Sequence, residues 1–270
     1  MDKNAPSVLI LIPTLGKRIE YLDLCLKSIS IQTVKPDVCI AFPGDARNAL
    51  NALKAKYSDF NFVAVEGSQS QVINHVLINV SKHTYVNWIG DDDLLYPNSI
   101  EESLKIFKEY PDSVGVFGKC MYIDEDGGNI ARYRVPKLAN RFSSYVPGIL
   151  KLEGGLFKRD LFVAVGGINT LLRYSPDADV ILKLRKFGDF RRSNNYLVKF
   201  RIHSSSITSQ NRTRGLIEGF HLQLSFASYR FDKLIIYLSF IPVFFLKHVI
   251  FSFLNLKTIL QREFFTGRRS

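Results

Sequence analysis

The chain has 270 residues, of which 46% are hydrophobic and 23% are charged, and this composition excludes an intrinsically disordered chain. Its length is sufficient for one large domain, or a domain with an appendage, around a substantial core. The net charge of +11 indicates an anionic partner such as nucleic acid, a phosphorylated small molecule or the anionic face of a membrane. Three cysteines, an odd number without metal-ligand spacing, favour buried thiols in a reducing compartment.

The first third of the chain alternates between strand-like and helix-like patterns. Residues 7–12 form a continuous apolar run before Pro13, which is typical of a strand buried on both faces. Further strands are predicted at 38–42, 61–65 and 84–89, with helices between them at 19–29, 46–57 and 72–80. This alternation favours an open α/β sheet, in which ligands bind beyond the carboxyl ends of the strands. Because the N-terminal apolar run is too short for a signal peptide, we expect a cytosolic protein.

The middle of the chain predicts a second group of elements. An amphipathic helix is expected over 97–110, and the turn Asp126-Gly127-Gly128 predicts a hairpin between strands at 114–122 and 130–135. Helical character follows at 156–165 and 180–187, and a late strand is predicted at 196–202.

From about residue 215 the sequence becomes strongly apolar and aromatic, so we divide the chain into a domain over 1–214 and a C-terminal helical segment over 215–270. A membrane-spanning helix needs about 20 mostly apolar residues, and Pro242, Lys247 and His248 interrupt this segment. Its aromatic residues and flanking cations favour a helical hairpin that lies in the headgroup region of a membrane. The alternatives are a single span and a pair of core-packing helices.

Three consecutive acids in the stretch WIGDDDLLYP, at 91–93, follow the fourth predicted strand. Adjacent carboxylates repel one another, so water, a cation or a hydrogen-bond network has to offset the repulsion. Mg²⁺ and Mn²⁺ prefer oxygen ligands and retain one or two protein carboxylates while substrate phosphates complete the coordination shell. The acids therefore suit a metal-bound diphosphate, and the alternative is a turn that stabilises the N-terminus of the helix after Pro97.

Several segments resemble, in the expected order, the family 2 glycosyltransferases with the GT-A fold. SVLILIPT at 7–14, GSQSQVIN at 67–74 and WIGDDDLLYP at 88–97 resemble the start, the middle and the DXD region of that family. GGLFKR at 154–159 with Gly166-Gly167 is similar to the acceptor-side segment, and SPDADVILKL at 175–184 with Phe187-Gly188 is similar to the catalytic segment. FRIH at 200–203 with Ser206 resembles the pattern that closes the domain, so the match covers about the first 210 residues.

The resemblance implies an α/β protein with a Rossmann-like GT-A mixed sheet flanked by helices, followed by the membrane-associating helical appendage. It implies that Asp177 is the general base and that Asp93 and His203 bind Mn²⁺ or Mg²⁺. A nucleotide-diphosphate sugar, expected to be UDP-linked, is then bound by Pro13, Thr14, Arg18, Asp45, Gln69, Asn74, Asp91 and Asp92.

Alternatives remain for three of these roles. Any of the acids at 91–93 could be the metal ligand. N-capping of a helix is a sufficient structural reason for Asp177, and Asp179 is a second candidate for the base. His203 could equally be a hydrogen-bonded structural residue.

The sequence departs from the family pattern at two positions. Pro43 and Gly44 follow the second strand, with Asp45 displaced, where the family commonly has an acidic pair that contacts the nucleotide base. Ile73 occupies a position that is often arginine, so phosphate contacts are expected from Lys17, Arg18 or Arg201.

The resemblance implies an inverting transferase that acts on a hydroxyl of a lipid-linked or polysaccharide acceptor. The apolar tail suggests a peripheral location on the inner face of the cell membrane, where a lipid-borne acceptor is confined. The alternative is a catalytically inactive glycan or nucleotide-sugar binding module with the same fold. Nucleic acid is not an expected partner, because no phosphate loop, zinc pattern or RNA-recognition signature accompanies the scattered basic residues.

Overall fold

A computed structural model of the protein describes residues 6–146, 148–150, 152–203, 206 and 211–266. The first half alternates strands and helices, as predicted except for β5: β1 (Val8–Pro13), α1 (Ile19–Ser30), β2 (Asp37–Phe42), α2 (Arg47–Lys56), β3 (Asn61–Ala64), α3 (Gln69–Asn74), β4 (Tyr85–Trp88), β5 (Leu94–Leu95) and α4 (Ser99–Glu109). The second half contains β6 (Gly115–Ile123), β7 (Asn129–Tyr133), α5 (Ala139–Phe142), β8 (Leu156–Lys158), α6 (Arg159–Ala164), α7 (Pro176–Leu184), β9 (Phe190–Arg201), α8 (Arg212–Phe226) and α9 (Arg230–Thr266).

The strands in the described part of the chain form one mixed sheet in the order β3-β2-β1-β4-β8-β6-β9-β5, with β7 paired to β6. The four strands β1 to β4 are parallel, and the register places Leu11 of β1 beside Trp88 of β4. The residues that follow β1 and β4 therefore emerge next to each other at one edge of the sheet. In the other half, β9 runs parallel to β6 and antiparallel to β5, which brings the end of β9 to the segment after β4.

β1 and β2 are buried on both faces because helices cover the sheet on each side. Val8, Ile10 and Ile12 of β1 pack in one hydrophobic cluster with residues of α1 and α2. Leu9 and Leu11 point the other way, into a second cluster that includes residues of α3, α6 and α7. Alternation of side chains along a strand explains why a continuously apolar run was needed at β1.

Two short strands differ from the prediction. The helix predicted over 156–165 begins only at Arg159, because Leu156 and Phe157 pair with β6 and Phe157 and Lys158 pair with β4. Pairing on both sides outweighs the helical spacing of so short a segment. The two-residue β5 was not predicted, and it pairs with β9.

The C-terminal apolar helix is present, but the predicted hairpin is wrong. Residues 230–266 form one helix, α9, that continues through Pro242. It packs along α8, where the rings of Phe220 and Phe240 lie 4.2 Å apart. Within the described residues, Arg230–Ile250 is the stretch long and apolar enough to cross a membrane by length and composition, and only 6% of its most apolar window is buried. The predicted domain boundary at 214/215 falls inside α8 and remains a prediction.

Candidate active site

The loops after β1 and β4 meet through a buried hydrogen bond. Thr14 Oγ1 donates to Asp91 Oδ2 over 2.6 Å, and the same hydroxyl accepts the backbone N–H of Gly16. The parallel register of β1 and β4 produces this contact between residues that are 77 positions apart. Two of the predicted donor-site residues, Thr14 and Asp91, therefore lie together at the carboxyl edge of the sheet.

Arg18, which directly precedes α1, neutralises two of the three acids. Its Nη2 lies 2.5 Å from Asp91 Oδ1, and its Nη1 lies 2.8 Å from Asp92 Oδ2. His203 completes the cluster, since its Nε2 is 2.7 Å from the same Asp92 oxygen and 2.8 Å from Arg18 Nη1. A single imidazole nitrogen can donate to the carboxylate or accept from the guanidinium, but it cannot do both at once. The side chains of Arg18, Asp92 and His203 thus converge on one place, where the Asp92 carboxylate favours a positive charge.

The two carboxylates in this cluster have opposite pKa shifts. Burial raises the pKa of Asp91, and its contacts with Thr14 and Arg18 offset the rise only in part. Burial also acts to raise the pKa of Asp92, but the hydrogen bond to His203 and the charge of Arg18 outweigh it, so that this pKa falls below its ordinary value. Asp92 is therefore held in the ionised form that a cation requires.

Asp93, which the family resemblance implies as a metal ligand, is instead buried in contacts within the protein. The residue is only 3% exposed, and its Oδ1 accepts the backbone N–H of Arg201 over 3.0 Å. Arg201 is itself buried, and its guanidinium donates to the carbonyl oxygens of Asp92, Asp124 and Glu125. These contacts fix the acidic loop to the end of β9, so the geometry favours Asp92 over Asp93 as a metal ligand. They engage Nε and Nη1 of Arg201, and the phosphate role expected of this residue remains a prediction.

Asp92 and His203 carry ligand types that bind divalent cations, and in this structure the guanidinium of Arg18 lies 2.8 Å from both ligand atoms. Asp92 Oδ2 and His203 Nε2 offer one carboxylate oxygen and one imidazole nitrogen at a shared position. In the part of the chain that the structure describes, no group of three or more His, Cys, Asp and Glu side chains converges. Two protein ligands agree with an ion such as Mg²⁺ or Mn²⁺ whose remaining ligands are substrate phosphates and water.

Asn74 was predicted to bind the donor, but its side chain holds a loop. The amide nitrogen donates to Ile168 O over 2.7 Å, and the amide oxygen accepts Ile168 N–H over 2.8 Å. A Cβ on Gly167 would overlap this amide oxygen, so the glycine lets the loop approach α3. Both functional groups of Asn74 are engaged by the backbone, which assigns it a structural role.

The other predicted donor-site residues lie along the same sheet edge. Pro13 ends β1, Asp45 is exposed in a short turn after β2, and Gln69 is exposed in the first turn of α3. The sequence did not single out Glu66, which follows β3 and accepts the backbone N–H of Gly44 over 2.7 Å. An acid directly after a strand that neighbours β2 was the signal that could have identified it.

Asp177 and Asp179 differ in how the fold uses them. Asp179 is buried, and its Oδ2 accepts from Lys183 Nζ at 2.6 Å and from the backbone N–H of Asn169 at 2.8 Å. Asp177 is half-buried at the second residue of α7, and Ser175 occupies the N-cap position. N-capping therefore does not explain Asp177, and the structural contacts of Asp179 favour Asp177 as the base.

No family model matches the chain. Among curated proteins it is similar to an uncharacterized glycosyltransferase of Rickettsia typhi, with 25% identity over 215 residues that cover 76% of this chain and 67% of the relative. It is also similar to the chondroitin synthase of Pasteurella multocida, with 24% identity over 76% of this chain. The match spans only 22% of that synthase, so the activity of the whole synthase does not transfer to this chain.

The chain also shares its fold with solved structures. The mannosyltransferase PcManGT from Pyrobaculum calidifontis, in complex with GDP-Man and Mn²⁺, matches with a TM-score of 0.65 and 15% identity over 87% of this chain and 69% of its own. S. aureus TarS 1–349 in complex with UDP-GlcNAc matches with a TM-score of 0.64 and 12% identity over 85% of this chain and 70% of its own. These likenesses confirm the predicted GT-A fold. The named relatives identify the chain as a glycosyltransferase similar to family 2.

Proposed function

We propose that this glycosyltransferase moves a sugar from a nucleotide-diphosphate sugar to an acceptor hydroxyl, with inversion at the anomeric carbon and with the help of a divalent cation. The observation that carries the proposal is the convergence of Arg18, Asp92 and His203, mutually within 2.8 Å, beyond the carboxyl ends of parallel strands. Ligands of open α/β sheets bind at this edge.

Donor binding is assigned to the loops along the edge. Thr14 and Pro13, at the end of β1, would line the nucleotide, and Asp91 would face its ribose side. Glu66 and Asp45 would lie near the base, since they belong to the loops after β3 and β2. We propose a UDP-linked donor.

Asp92 and His203 would hold the cation, with Mn²⁺ and Mg²⁺ as the candidate ions. When bound, a divalent ion supplies positive charge that offsets the charge on the departing diphosphate. Arg18 contributes a second positive charge, since its Nη1 lies 2.8 Å from Asp92 Oδ2. These residues stabilise the leaving group electrostatically and form no covalent bond with the sugar.

Asp177 would act as general base at the acceptor. Its carboxylate takes the proton from the acceptor hydroxyl as that oxygen forms a bond to the anomeric carbon. The bond between the anomeric carbon and the diphosphate oxygen breaks on the opposite face, and its electron pair leaves with the nucleoside diphosphate. One displacement of this kind inverts the configuration.

The acceptor is proposed to be a lipid-linked glycan or a polysaccharide met at a membrane surface. Large apolar residues on α9 are exposed, among them Leu238, Ile241 and Phe245, whereas Ile236 faces the protein. One face of α9 thus packs against α8 and the domain, and the other suits the acyl-headgroup boundary. We propose a peripheral location on the cytoplasmic face of the cell membrane.

The experiment that tests this proposal measures nucleotide release from a panel of UDP-glucose, UDP-GlcNAc and GDP-mannose, with Mn²⁺, with Mg²⁺ and with EDTA. We expect one donor to be consumed in a metal-dependent reaction, and Asp177→Asn to reduce turnover by about 100-fold or more because the base is lost. Stabilisation by a donor without turnover against a broad acceptor panel would indicate a binding module. Equal turnover of wild type and Asp177→Asn would remove the base assignment.

A further inference from the structure

The segment that leads into Asp177 is attached to a helix outside the catalytic segment. Glu218, on α8, accepts the backbone N–H groups of Arg173, Tyr174 and Ser175 over 3.0, 2.7 and 2.7 Å. The hydroxyl of Ser175 adds a fourth bond, since it donates to the α8 carbonyl of Gly215 over 2.9 Å. Hydrogen bonds to a carboxylate are shorter and roughly twice as strong as bonds between neutral groups.

The charge of Glu218 also lies at a favourable place. Ser175 is the N-cap of α7, and its own side chain forms no capping bond. The carboxylate of Glu218 therefore lies beside the N-terminus of α7, where the helix dipole favours negative charge. Because Asp177 is the second residue of α7, a restraint on Ser175 fixes the start of the helix that carries the base.

The opposite end of the same loop has a separate anchor. Asp179 accepts the backbone N–H of Asn169, and Lys183 donates to Gly167 O over 2.8 Å. Between the anchors the loop borders a groove of about 490 Å³ that includes Leu172 and Tyr174 of the loop and Arg214 of α8. On the groove side Leu172 packs against a small cluster that includes Leu222 of α8. The bonds to Glu218 hold the backbone that follows, from residue 173 to residue 175.

We propose that Glu218 is a positioning residue for glycosyl transfer, which fixes the approach of Asp177 to the acceptor hydroxyl through the backbone of residues 173–175. This inference rests on the proposed function, because it takes Asp177 as the base. Glu218 is far in sequence from the donor residues and makes no described contact with the Arg18, Asp92 and His203 cluster. Its loss should therefore reduce the chemical step and leave donor binding unchanged.

The test compares Glu218→Ala, Glu218→Gln and Gln223→Ala, using the donor from the panel above that gives the fastest nucleotide release with Mn²⁺. Gln223→Ala is the matched control, since Gln223 is a buried residue on the same helix whose side chain donates to Ser143 O, outside the loop. We expect Glu218→Ala to lower kcat about 10-fold to 100-fold, with donor KM within about twofold of wild type. Glu218→Gln should be intermediate, because one acceptor oxygen remains.

Hydrogen exchange gives a readout that needs no turnover. Deuterium uptake of the peptide over 172–178 should rise in Glu218→Ala and stay at the wild-type level in Gln223→Ala. Unchanged uptake, an equal loss of kcat in the Gln223 control, or a rise in donor KM that matches the fall in kcat would overturn the inference. Asp177→Asn separates the two proposals: if that variant is inactive and Glu218→Ala is fully active, only the positioning role fails, whereas an active Asp177→Asn removes the base itself.

Discussion

The Arg18 guanidinium lies between two carboxylates that burial would otherwise disfavour. It contacts both Asp91 and Asp92, and about a third of its side chain is exposed. Removing one partner of a buried ion pair leaves an uncompensated charge, whereas exposure to water weakens the penalty. In the proposed enzyme a divalent cation would share this task, so the charge of Arg18 and the charge of the metal should partly substitute for each other in the folded protein.

Arg18→Ala tests this substitution. We expect the variant to lose about 1–2 kcal/mol of unfolding free energy without metal, because two acids lose their counter-charge. Added Mn²⁺ should raise the melting temperature of the variant more than that of wild type, since the ion then neutralises the same carboxylates. Lys105→Ala, which breaks an exposed pair on α4, is the control and should respond to Mn²⁺ as wild type does. An equal Mn²⁺ response in wild type and Arg18→Ala would contradict the account.

At the scale of elements, the approach of the Gly166-Gly167 loop to α3 depends on a missing side chain. Both glycines have positive φ, 73° and 69°, but only Gly167 is crowded, by Asn74 and Ile78. A Cβ on Gly166 meets nothing within 4 Å. Substitution of Gly166 therefore tests backbone strain alone, whereas substitution of Gly167 tests backbone strain together with steric overlap.

Gly166→Ala should cost about 1 kcal/mol of unfolding free energy, because alanine is strained in the left-handed region. Gly167→Ala should cost about 2 kcal/mol more, because its methyl group also displaces the Asn74 amide from Ile168. Urea denaturation of the two variants measures the difference. Equal destabilisation would mean that the Asn74 contact contributes nothing to stability.

The contact between α1 and α2 provides a pH-dependent test. Asp23 of α1 accepts from Lys56 Nζ at 2.7 Å and from Tyr57 Oη at 2.7 Å, and the Lys56 hydrogen bond is the main cause that lowers the pKa of Asp23 below 3.8. A carboxyl whose pKa is lower in the folded state stabilises the protein above its unfolded pKa, and the stabilisation is lost as the pH falls through the folded pKa.

Asp23→Asn should lower the unfolding free energy by about 0.5–1 kcal/mol at pH 7, since the pair is partly exposed. The difference between wild type and variant should start to shrink as the pH falls below about 4, because Asp23 of the unfolded chain is then protonated, and should be lost as the pH falls through the lower pKa of folded Asp23. Urea denaturation from pH 7 to pH 3 measures it. A difference that stays constant over this range would rule out the ionised pair as its cause.

The sequence predicted the elements that carry a regular pattern and failed where the pattern was too short. β1 to β4 and the helices between them follow from apolar runs and helical spacing. β5 and β8, with two and three residues, contain no period that could be recognised. The contacts of Asn74 with Ile168 and of Arg201 with Asp92 join residues 94 and 109 positions apart, and no local signal specifies such pairs. The three consecutive acids were evident in the sequence. Which of them faces the sheet edge depends on the contact between Asp93 and Arg201 at the end of β9.

In the whole molecule, α9 presents an exposed apolar surface. The protein also has a net charge of +11. Leu238, Ile241 and Phe245 recur at helical spacing and are each more than 60% exposed. A helix that packs one face on its own domain and exposes an apolar face can bind the headgroup region, and net positive charge attracts anionic lipids.

Replacement of Leu238, Ile241 and Phe245 together by serine should therefore weaken co-sedimentation with vesicles of phosphatidylcholine and phosphatidylserine by about tenfold or more. Leu138→Ser, at an exposed apolar residue near α5, is the control and should bind vesicles as wild type does. Partition of the triple variant equal to that of wild type would contradict attachment through α9.

In the proposed site Asp92 and His203, and not Asp93, hold a divalent cation beside the donor diphosphate. The most direct measurement is electron paramagnetic resonance of Mn²⁺ in the presence of UDP, for wild type, Asp92→Asn and Asp93→Asn. We expect Asp92→Asn to weaken Mn²⁺ binding by at least about tenfold, because a direct metal ligand is lost. Loss of a residue that only hydrogen-bonds a metal ligand already weakens binding by about that much. Asp93→Asn should bind Mn²⁺ while it remains folded, because its carboxylate contacts the Arg201 backbone. Wild-type binding by Asp92→Asn, or loss of binding by folded Asp93→Asn, would contradict the account.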